Sequence, residues 1–391
     1  MTTWDVIVLG LGGMGSAAAY HLAARGRRVV GIERFSPPHD MGSSHGRTRV
    51  IRQAYFEDPA YVPLLRRAYE LWRELELGGG EQLLQLCGGL MMGAPGSEVV
   101  EGSLRSAREH GLPHELLDER ELRRRFPLFR LPVDTIGLFE PAAGLVFCER
   151  AVDAHLTVAA RAGAVLNFEE RVLGWEPDRN DRVTVKTDKA TYEAAQLILT
   201  PGPWAPELLG SLGGAMVVER QVLFWFQPPA GVESFAPDRF PIYIWQSGQT
   251  ASCCPYGFPA VDGPAGGVKI SLHRKPTTER CVPETVDRRI RDDDVAEMRD
   301  VIRSFLPALD GELVHATTCL YTMTPDQHFV IGEYPGHPQV KIAAGFSGHG
   351  FKFCPVVGEL LADLATTGRT RYDIGLFDPN RFMEDGDKGC D

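Results

Sequence analysis

No apolar run in the sequence approaches the roughly 20 residues that a membrane-crossing helix needs, which argues against a transmembrane role. Positive charge is in deficit: 41 Lys and Arg stand against 52 Asp and Glu, a formal net charge of −11, and the pI is about 5.5. A general nucleic-acid binder needs a basic face to displace counterions from phosphates, and this balance does not supply one. Eight cysteines are present, at 87, 148, 253, 254, 281, 319, 354 and 390, but they form no CxxC pair and no repeating spacing. They are expected to be reduced thiols of a cytoplasmic protein. No His/Cys cluster has ligand spacing, so no metal is expected. A basic segment ahead of the first apolar run is missing, and the N-terminus does not read as a signal peptide. Internal repeats and low-complexity linkers are absent too. What remains is a chain of 391 residues, 43% hydrophobic, enough for two or three cores of about 150 residues each.

Val6-Ile7-Val8-Leu9 has the length of a buried parallel strand and leads straight into Gly10-Leu11-Gly12-Gly13-Met14-Gly15. The Ala-rich stretch from Ser16 to Arg25, stopped by Gly26, predicts a helix, and Val29 to Ile32 predicts a second strand ending at Glu33. This is one βαβ unit. Helical spacing returns over 61–77, with Leu64, Leu65, Ala68, Leu71, Trp72 and Leu75 on one side. A strand is predicted over 86–92, then a charged segment over 97–130 that is helical in pieces. Strands follow from Asp181 to Lys186 and over 196–200, before an abrupt turn at Pro201-Gly202-Pro203-Trp204. The stretch 216–273 is rich in aromatic and β-branched residues and reads as antiparallel sheet. A helix over 294–305, a strand over 340–344 and a helix from Pro355 to Thr367, closed by Gly368, complete the pattern. The predicted class is α/β: a Rossmann-like dinucleotide-binding domain from 1–84, 145–215 and 320–391, and a mostly antiparallel β domain from 85–144 and 216–319.

Gly10, Gly12 and Gly15 stand in GxGxxG spacing between a strand and a helix. The first permits a tight turn, the second lets a pyrophosphate approach the backbone, and the third allows close strand–helix packing. Glu33, 18 residues after Gly15, is placed to accept hydrogen bonds from a ribose diol. The motif alone leaves NAD and FAD both open. Three arginines, Arg47, Arg49 and Arg52, fall between flanking glycines and apolar Val50 and Ile51; on a helical turn Arg49 and Arg52 would share a face. Val268 to His273 alternates so that Lys269, Ser271 and His273 share one face of a strand. Alternation alone favours an edge strand with that face in water. Cys319 is a lone cysteine, by itself most simply a small core residue. Gly345 to Lys352 is a glycine-rich loop entering a helix, with Lys352 as a mobile cation beside its N-terminus.

In their order these motifs resemble the monomeric sarcosine oxidase family, which includes N-methyltryptophan oxidase and the peroxisomal pipecolate/sarcosine oxidases. The likeness runs from Asp5 to about Phe382 and is most specific in Ser44 to Arg52, Cys319 to Asp326 and Ala344 to Lys352. The resemblance implies FAD held covalently by a thioether from Cys319 to the flavin 8α carbon. It implies that Lys269, in a Lys-x-x-x-His pattern with His273, activates O2, and that His273 lies in the substrate pocket. Arg52 and Lys352 match a pair that binds the substrate carboxylate, Arg49 an arginine close to the flavin ring, and Tyr256 and Tyr321 pocket tyrosines. Catalysis would thus rest on Lys269, His273, Arg49 and Tyr321. The implied cofactor contacts are Gly10, Gly12, Gly13, Met14, Gly15, Glu33, Arg34, Ser44, His45, Arg49, Val172, Trp204, Met323, Gly345, Phe346, Gly348, His349, Gly350 and Lys352, with Cys319.

The chain departs from the bacterial pattern at Ser44, where a second histidine is usual, and at Arg47, where an acid is common. Phe240 to Trp245 is more aromatic and closer to the pipecolate-type members, which leaves the substrate's size open. The implied reaction oxidises a secondary amino acid such as sarcosine at a C–N bond with O2, giving an imine, hydrolysed to amine and aldehyde, and hydrogen peroxide. N-methyltryptophan, pipecolate and proline-like substrates stay open, as does a flavin dehydrogenase with another acceptor. The expected partners are a small amino acid and O2, without nucleic acid or membrane, and the expected state is a monomer.

Overall fold

Five parallel strands form the spine of the first sheet, in the order His337–Ala344, Thr191–Leu199, Trp4–Leu9, Val29–Ile32 and Val165–Asn167. Val29–Ile32 and the C-terminal parts of Trp4–Leu9, Thr191–Leu199 and His337–Ala344 are apolar runs buried on both faces, as strands flanked by crossovers are, while Val165–Asn167 is the more exposed edge. Antiparallel strands Val172–Pro177 and Val183–Thr187 extend the sheet from Thr191–Leu199, and Val330–Tyr334 pairs back onto His337–Ala344. The computed structural model describes residues 3–178, 182–248, 253–275 and 277–383. Asp181, Cys390 and the segment 249–252 of the aromatic stretch fall outside them.

Helices Gly13–Ala24, Val62–Gly79, Cys148–Arg161 and Cys354–Thr367 pack on one another beside this sheet. The first contributes Ala17, Ala18, Ala19 and Leu22 to the core, and these small side chains let the Cys354–Thr367 helix approach closely at Gly358. A Cβ added at Gly358 would lie 2.5 Å from the Ala17 carbonyl carbon.

A second sheet runs Glu279–Arg280, Val217–Gln227, Val268–Leu272, Pro255–Gly257, Ile242–Trp245, Gly89–Gly93, Ile136–Glu140 and Glu115–Leu117, with Glu312–Met323 also on Val217–Gln227. It is antiparallel as expected, except that Ile242–Trp245 runs parallel to Gly89–Gly93. The single strand expected over 86–92 is two strands in different sheets, separated at Gly88, whose φ is +76°. Leu84–Leu86 joins Gly144–Phe147 and Thr48–Ile51 in a small third sheet. The charged segment contains helices Glu98–Glu109 and Glu119–Arg125, and the amphipathic helix spans Asp292–Phe305. The architecture is therefore α/β, a Rossmann-like parallel sheet beside a mostly antiparallel one. Among the described residues no helix is long and apolar enough to cross a membrane.

The helix contact gives the first test. Gly358→Ala is expected to destabilise the protein by about 1–3 kcal/mol, because backbone atoms and not a flexible side chain must move aside; urea unfolding measures it.

Candidate active site

The first turn of the βαβ unit opens onto a cleft with about 1570 Å³ of atom-free space, its mouth included. Gly10 adopts φ +84°, a backbone state that favours glycine, and turns the chain into the Gly13–Ala24 helix. A Cβ on Gly15 would overlap the Gly10 carbonyl, so strand and helix meet there at contact distance. Gly10, Gly12, Gly13 and Met14 line the cleft, whereas Gly15 lies behind them. The Gly13 N–H donates to Ser44 Oγ at 3.0 Å, and Ser44 lines the cleft as well. Glu33 closes the second strand; its Oε2 accepts from Leu11 N at 2.7 Å and its Oε1 faces His39 Nε2 at 3.4 Å. Arg34 pairs with Glu284 at 2.6 Å, and the Trp204 indole N–H donates to the same carboxylate. Val172, Arg34 and Trp204 line this end. A glycine cradle at a helix N-terminus with a carboxylate at the end of the next strand fits the pyrophosphate and ribose of a dinucleotide.

At the inner end of the cleft the chain concentrates buried charge. Arg49 and Arg52 do not share a helical face, because Thr48–Ile51 is a strand paired with Gly144–Phe147. Arg49 donates to Thr48 O at 2.9 Å, Ser43 O at 3.0 Å and Cys319 Sγ at 3.4 Å. Burial pushes the Cys319 thiol up, but Arg49, then His45 and Lys269, outweigh it and bring the thiol down to about 6. Cys319 and His45 sit just behind the lining residues.

Lys269 corrects the edge-strand expectation. Val268–Leu272 lies between Val217–Gln227 and Pro255–Gly257, so its polar face points into protein. The Lys269 amine, 3% exposed, donates to Gly46 O and Thr48 O at 2.6 Å each and lies over the Phe258 and Trp225 rings. Burial, and then Arg49, bring it down to about 7. His273 has Tyr321, Tyr256 and His349 around its ring at 6.0–6.5 Å between centroids. Burial, followed by Arg274, holds it to about 3, so it is neutral near pH 7.

Lys352 is not a mobile cation. It is 4% exposed, and it donates to His349 O at 2.6 Å and Tyr55 OH at 3.4 Å because the Phe351–Phe353 turn folds it inward. Burial, and then Arg52, bring it down to about 7. Arg52 lies on the same tyrosine, its guanidinium 4.2 Å from the Tyr55 ring centre. Glu57, which the sequence reading missed, binds Arg52 through both oxygens at 2.8 and 2.7 Å. Burial opposes the Glu57 charge, but Arg52, His349 and Lys352 outweigh it and hold the carboxyl near 2. Arg52, Tyr256, Lys269 and His273 surround the inner end without lining the main cleft; Tyr321, Arg49 and Lys352 do line it.

Gly345, Phe346, Gly348, His349 and Gly350 form one wall of the cleft. Gly348, at φ +79°, lies against Tyr321, where a Cβ would enter the ring. Met323 ends the Glu312–Met323 strand opposite Val217 and is not among the cleft residues. The aromatic excess of Phe240 to Trp245 does not face the cleft. Phe240, Tyr243 and Trp245 pack with Phe129 and Phe305 in the core of the second sheet, so they do not set a substrate's size. Thr200, read from the sequence only as the end of a strand, and Pro201 and Pro203, read only as a turn, also line the cleft. Among the described residues no group of three or more His, Cys, Asp or Glu could hold a metal ion.

Comparison with known proteins accords with this geometry. The family model for FAD dependent oxidoreductases matches residues 5–364. The chain is 54% identical over 381 residues to a monomeric sarcosine oxidase of Streptomyces avermitilis, covering 97% of this chain and 98% of that one. It is 34% identical to the human peroxisomal sarcosine oxidase, covering 97% and 96%. Among solved structures, that of an unusual amino acid oxidase essential for nikkomycin biosynthesis superimposes with a TM-score of 0.83 at 27% identity, covering 97% of this chain and 98% of that one.

The cluster around Cys319 yields a pH test. In cofactor-free protein, the far-ultraviolet thiolate absorbance that Cys319→Ser removes is expected to be complete above pH 7 and lost as pH falls through about 6. Arg49→Met should move that midpoint upward; a midpoint near 9 in the unaltered protein would show that Arg49 does not act on the sulfur.

Proposed function

The chain belongs to the FAD-dependent oxidoreductase family, and on that premise we propose that it oxidises secondary amino acids, N-methyl or cyclic, with O2. One observation carries the reading: two buried cations, Arg52 and Lys352, share Tyr55, and among the described residues Glu57, paired with Arg52, is the one carboxylate in ion-pair contact with either of them. Among those residues the Lys352 amine donates only to a hydroxyl and a carbonyl, and a substrate carboxylate at this point supplies it with an anion. The names of the Streptomyces and human relatives support sarcosine as the first substrate to try.

We assign FAD to the cleft, with Gly10 to Met14, Glu33, Ser44, Val172, Trp204 and the 345–350 wall as its contacts. When bound there, FAD supplies the two-electron acceptor for the C–N bond and delivers the electrons to O2 as hydrogen peroxide. The low Cys319 pKa supports a thioether to the flavin, because the thiolate is the nucleophile. Met323, away from the cleft, is not carried forward as a contact. Arg52 and Lys352 bind and orient the carboxylate, which converts an encounter into a fixed approach. Tyr256, Tyr321 and neutral His273 wall the pocket without adding positive charge. Nearby Arg49 and Lys269 disfavour the ammonium form, so the bound amine keeps the lone pair that oxidation needs. Lys269 offers its positive charge where O2 takes up electrons. The imine is released to water and yields amine and aldehyde; from sarcosine these are glycine and formaldehyde.

The division of labour follows the two units proposed from the sequence, and membership of the two large sheets supports it except at Glu312–Met323, which crosses the 319/320 boundary; in the small sheet Leu84–Leu86 and Gly144–Phe147 cross the 84/85 and 144/145 boundaries. We further read the protein as a monomer, in keeping with the name of its Streptomyces relative, acting in the cytoplasm.

A panel of sarcosine, N-methyltryptophan, pipecolate and proline, assayed for peroxide with purified yellow protein, tests the reading. At least one should give peroxide under air; reduction of the flavin without peroxide would make the protein a dehydrogenase. Lys269→Met is expected to slow reoxidation by O2 about 100- to 1000-fold while leaving anaerobic reduction within a few-fold. Equal loss in both would remove Lys269 from the oxygen step.

A further inference from the structure

Two carboxylates that this chemistry does not use grip the strand that carries it. Glu149, in the first turn of the Cys148–Arg161 helix, accepts from Gly46 N at 2.6 Å and Arg47 N at 2.9 Å through the single oxygen Oε1. Its other oxygen accepts from Cys148 Sγ at 3.1 Å. Glu140 ends the Ile136–Glu140 strand, is 1% exposed, and accepts from Gln53 N at 2.8 Å through Oε1 and Ala54 N at 2.9 Å through Oε2. Between these two pairs of amides lies Thr48–Ile51.

Each grip sits one step from a functional cation. Gly46 and Arg47 have φ of +93° and +67°, a left-handed pair that turns consecutive N–H groups toward one anion. The same turn aims Gly46 O and Thr48 O at the Lys269 amine. At the far end, the peptides held by Glu140 follow Arg52 directly, and Arg52 Nη1 donates to Ala54 O at 3.0 Å. Burying a carboxylate merely to satisfy amides is costly, since water or a neutral acceptor would serve. Placed here, each carboxylate also faces the cation it serves: Glu149 faces Arg49 and Lys269 and, despite burial, is held below the usual carboxylate range, while burial pushes Glu140 up against the opposing pull of its two amides and Arg52.

We propose that Glu149 and Glu140 are positioning residues that divide the reaction between them. Glu149 holds the carbonyl pair that fixes Lys269 for the oxygen step, and Glu140 holds the turn that fixes Arg52 for the substrate carboxylate. The inference rests on the roles given to Lys269 and Arg52 above.

The test uses flavin-loaded Glu149→Ala, Glu149→Gln and Glu140→Gln. Three quantities are read: the O2 reoxidation rate, the acetate dissociation constant and amide hydrogen exchange over 46–47 and 53–54. Glu149→Ala should slow reoxidation at least about tenfold, leave acetate affinity within about threefold and speed exchange only at 46–47. In Glu149→Gln one carbonyl oxygen can still accept both amides, so reoxidation should return to within a few-fold of the original. Glu140→Gln turns an acceptor into a donor facing an N–H; it should weaken acetate about tenfold, leave reoxidation within about threefold and speed exchange at 53–54. If Glu149→Ala gives no flavin-loaded protein, Glu149→Asp, which draws the oxygens back, takes its place with the same expected result. Variants that alter both steps alike, or loosen the amides without moving either constant, would overturn the division. Failure of the unaltered enzyme to form peroxide would instead refute the functional reading, with acetate affinity and exchange still judging the two grips.

Discussion

Four cations, Arg49, Arg52, Lys269 and Lys352, are held inside this protein, and among the described residues only Arg52 has a carboxylate, Glu57, in direct ion-pair contact; the rest of the site follows from that imbalance of contacts. A buried cation without a partner lowers its own pKa or attracts negative charge. Both outcomes are present. The two lysines are brought down to about 7, and the Cys319 thiol and the Glu57 carboxyl are pulled toward their ionised forms. A site arranged this way favours a carboxylate ligand, a neutral amine and a negatively charged product of electron transfer.

The scaffold keeps this charge in place by sharing it between sheets. Arg49 projects from the Thr48–Ile51 strand of the small sheet toward Cys319 on the Glu312–Met323 strand, while Lys269 reaches from the second sheet back to Gly46 and Thr48. Lys352 enters from the loop after the parallel sheet and meets Arg52 on Tyr55. The cations therefore come from separate pieces of chain, and backbone carbonyls fix them as much as side chains do. Carbonyls leave the positive charge unneutralised and available to a ligand.

What could be read beforehand was local. The GxGxxG turn, the helix after it and Glu33 follow from neighbours in sequence, and the structure builds them as expected. Long strands and helices with clear periodicity were also legible, whereas the break at Gly88 was hidden inside one apolar run. The surroundings of Lys269 were not legible from alternation, because its strand is made interior by Val217–Gln227 and Pro255–Gly257. The Cys319 environment depends on Arg49, 270 positions away. Glu57 lies only five residues from Arg52, and a buried arginine followed by a nearby acid was a signal that could have been used. Glu149 and Glu140 act on amides about 86–103 residues away, a distance at which spacing carries no information.

The charge imbalance itself can be measured by calorimetry. Acetate, which brings a carboxylate and no amine, is titrated into the flavin-loaded enzyme at pH 8 in two buffers of different ionisation enthalpy. With Lys352 near 7 and mostly neutral at that pH, an arriving anion should raise its pKa, and a fraction of a proton should be taken up per acetate bound. Lys352→Met should abolish the uptake. Binding with no proton uptake in the unaltered enzyme, or uptake that persists in Lys352→Met, would contradict the account.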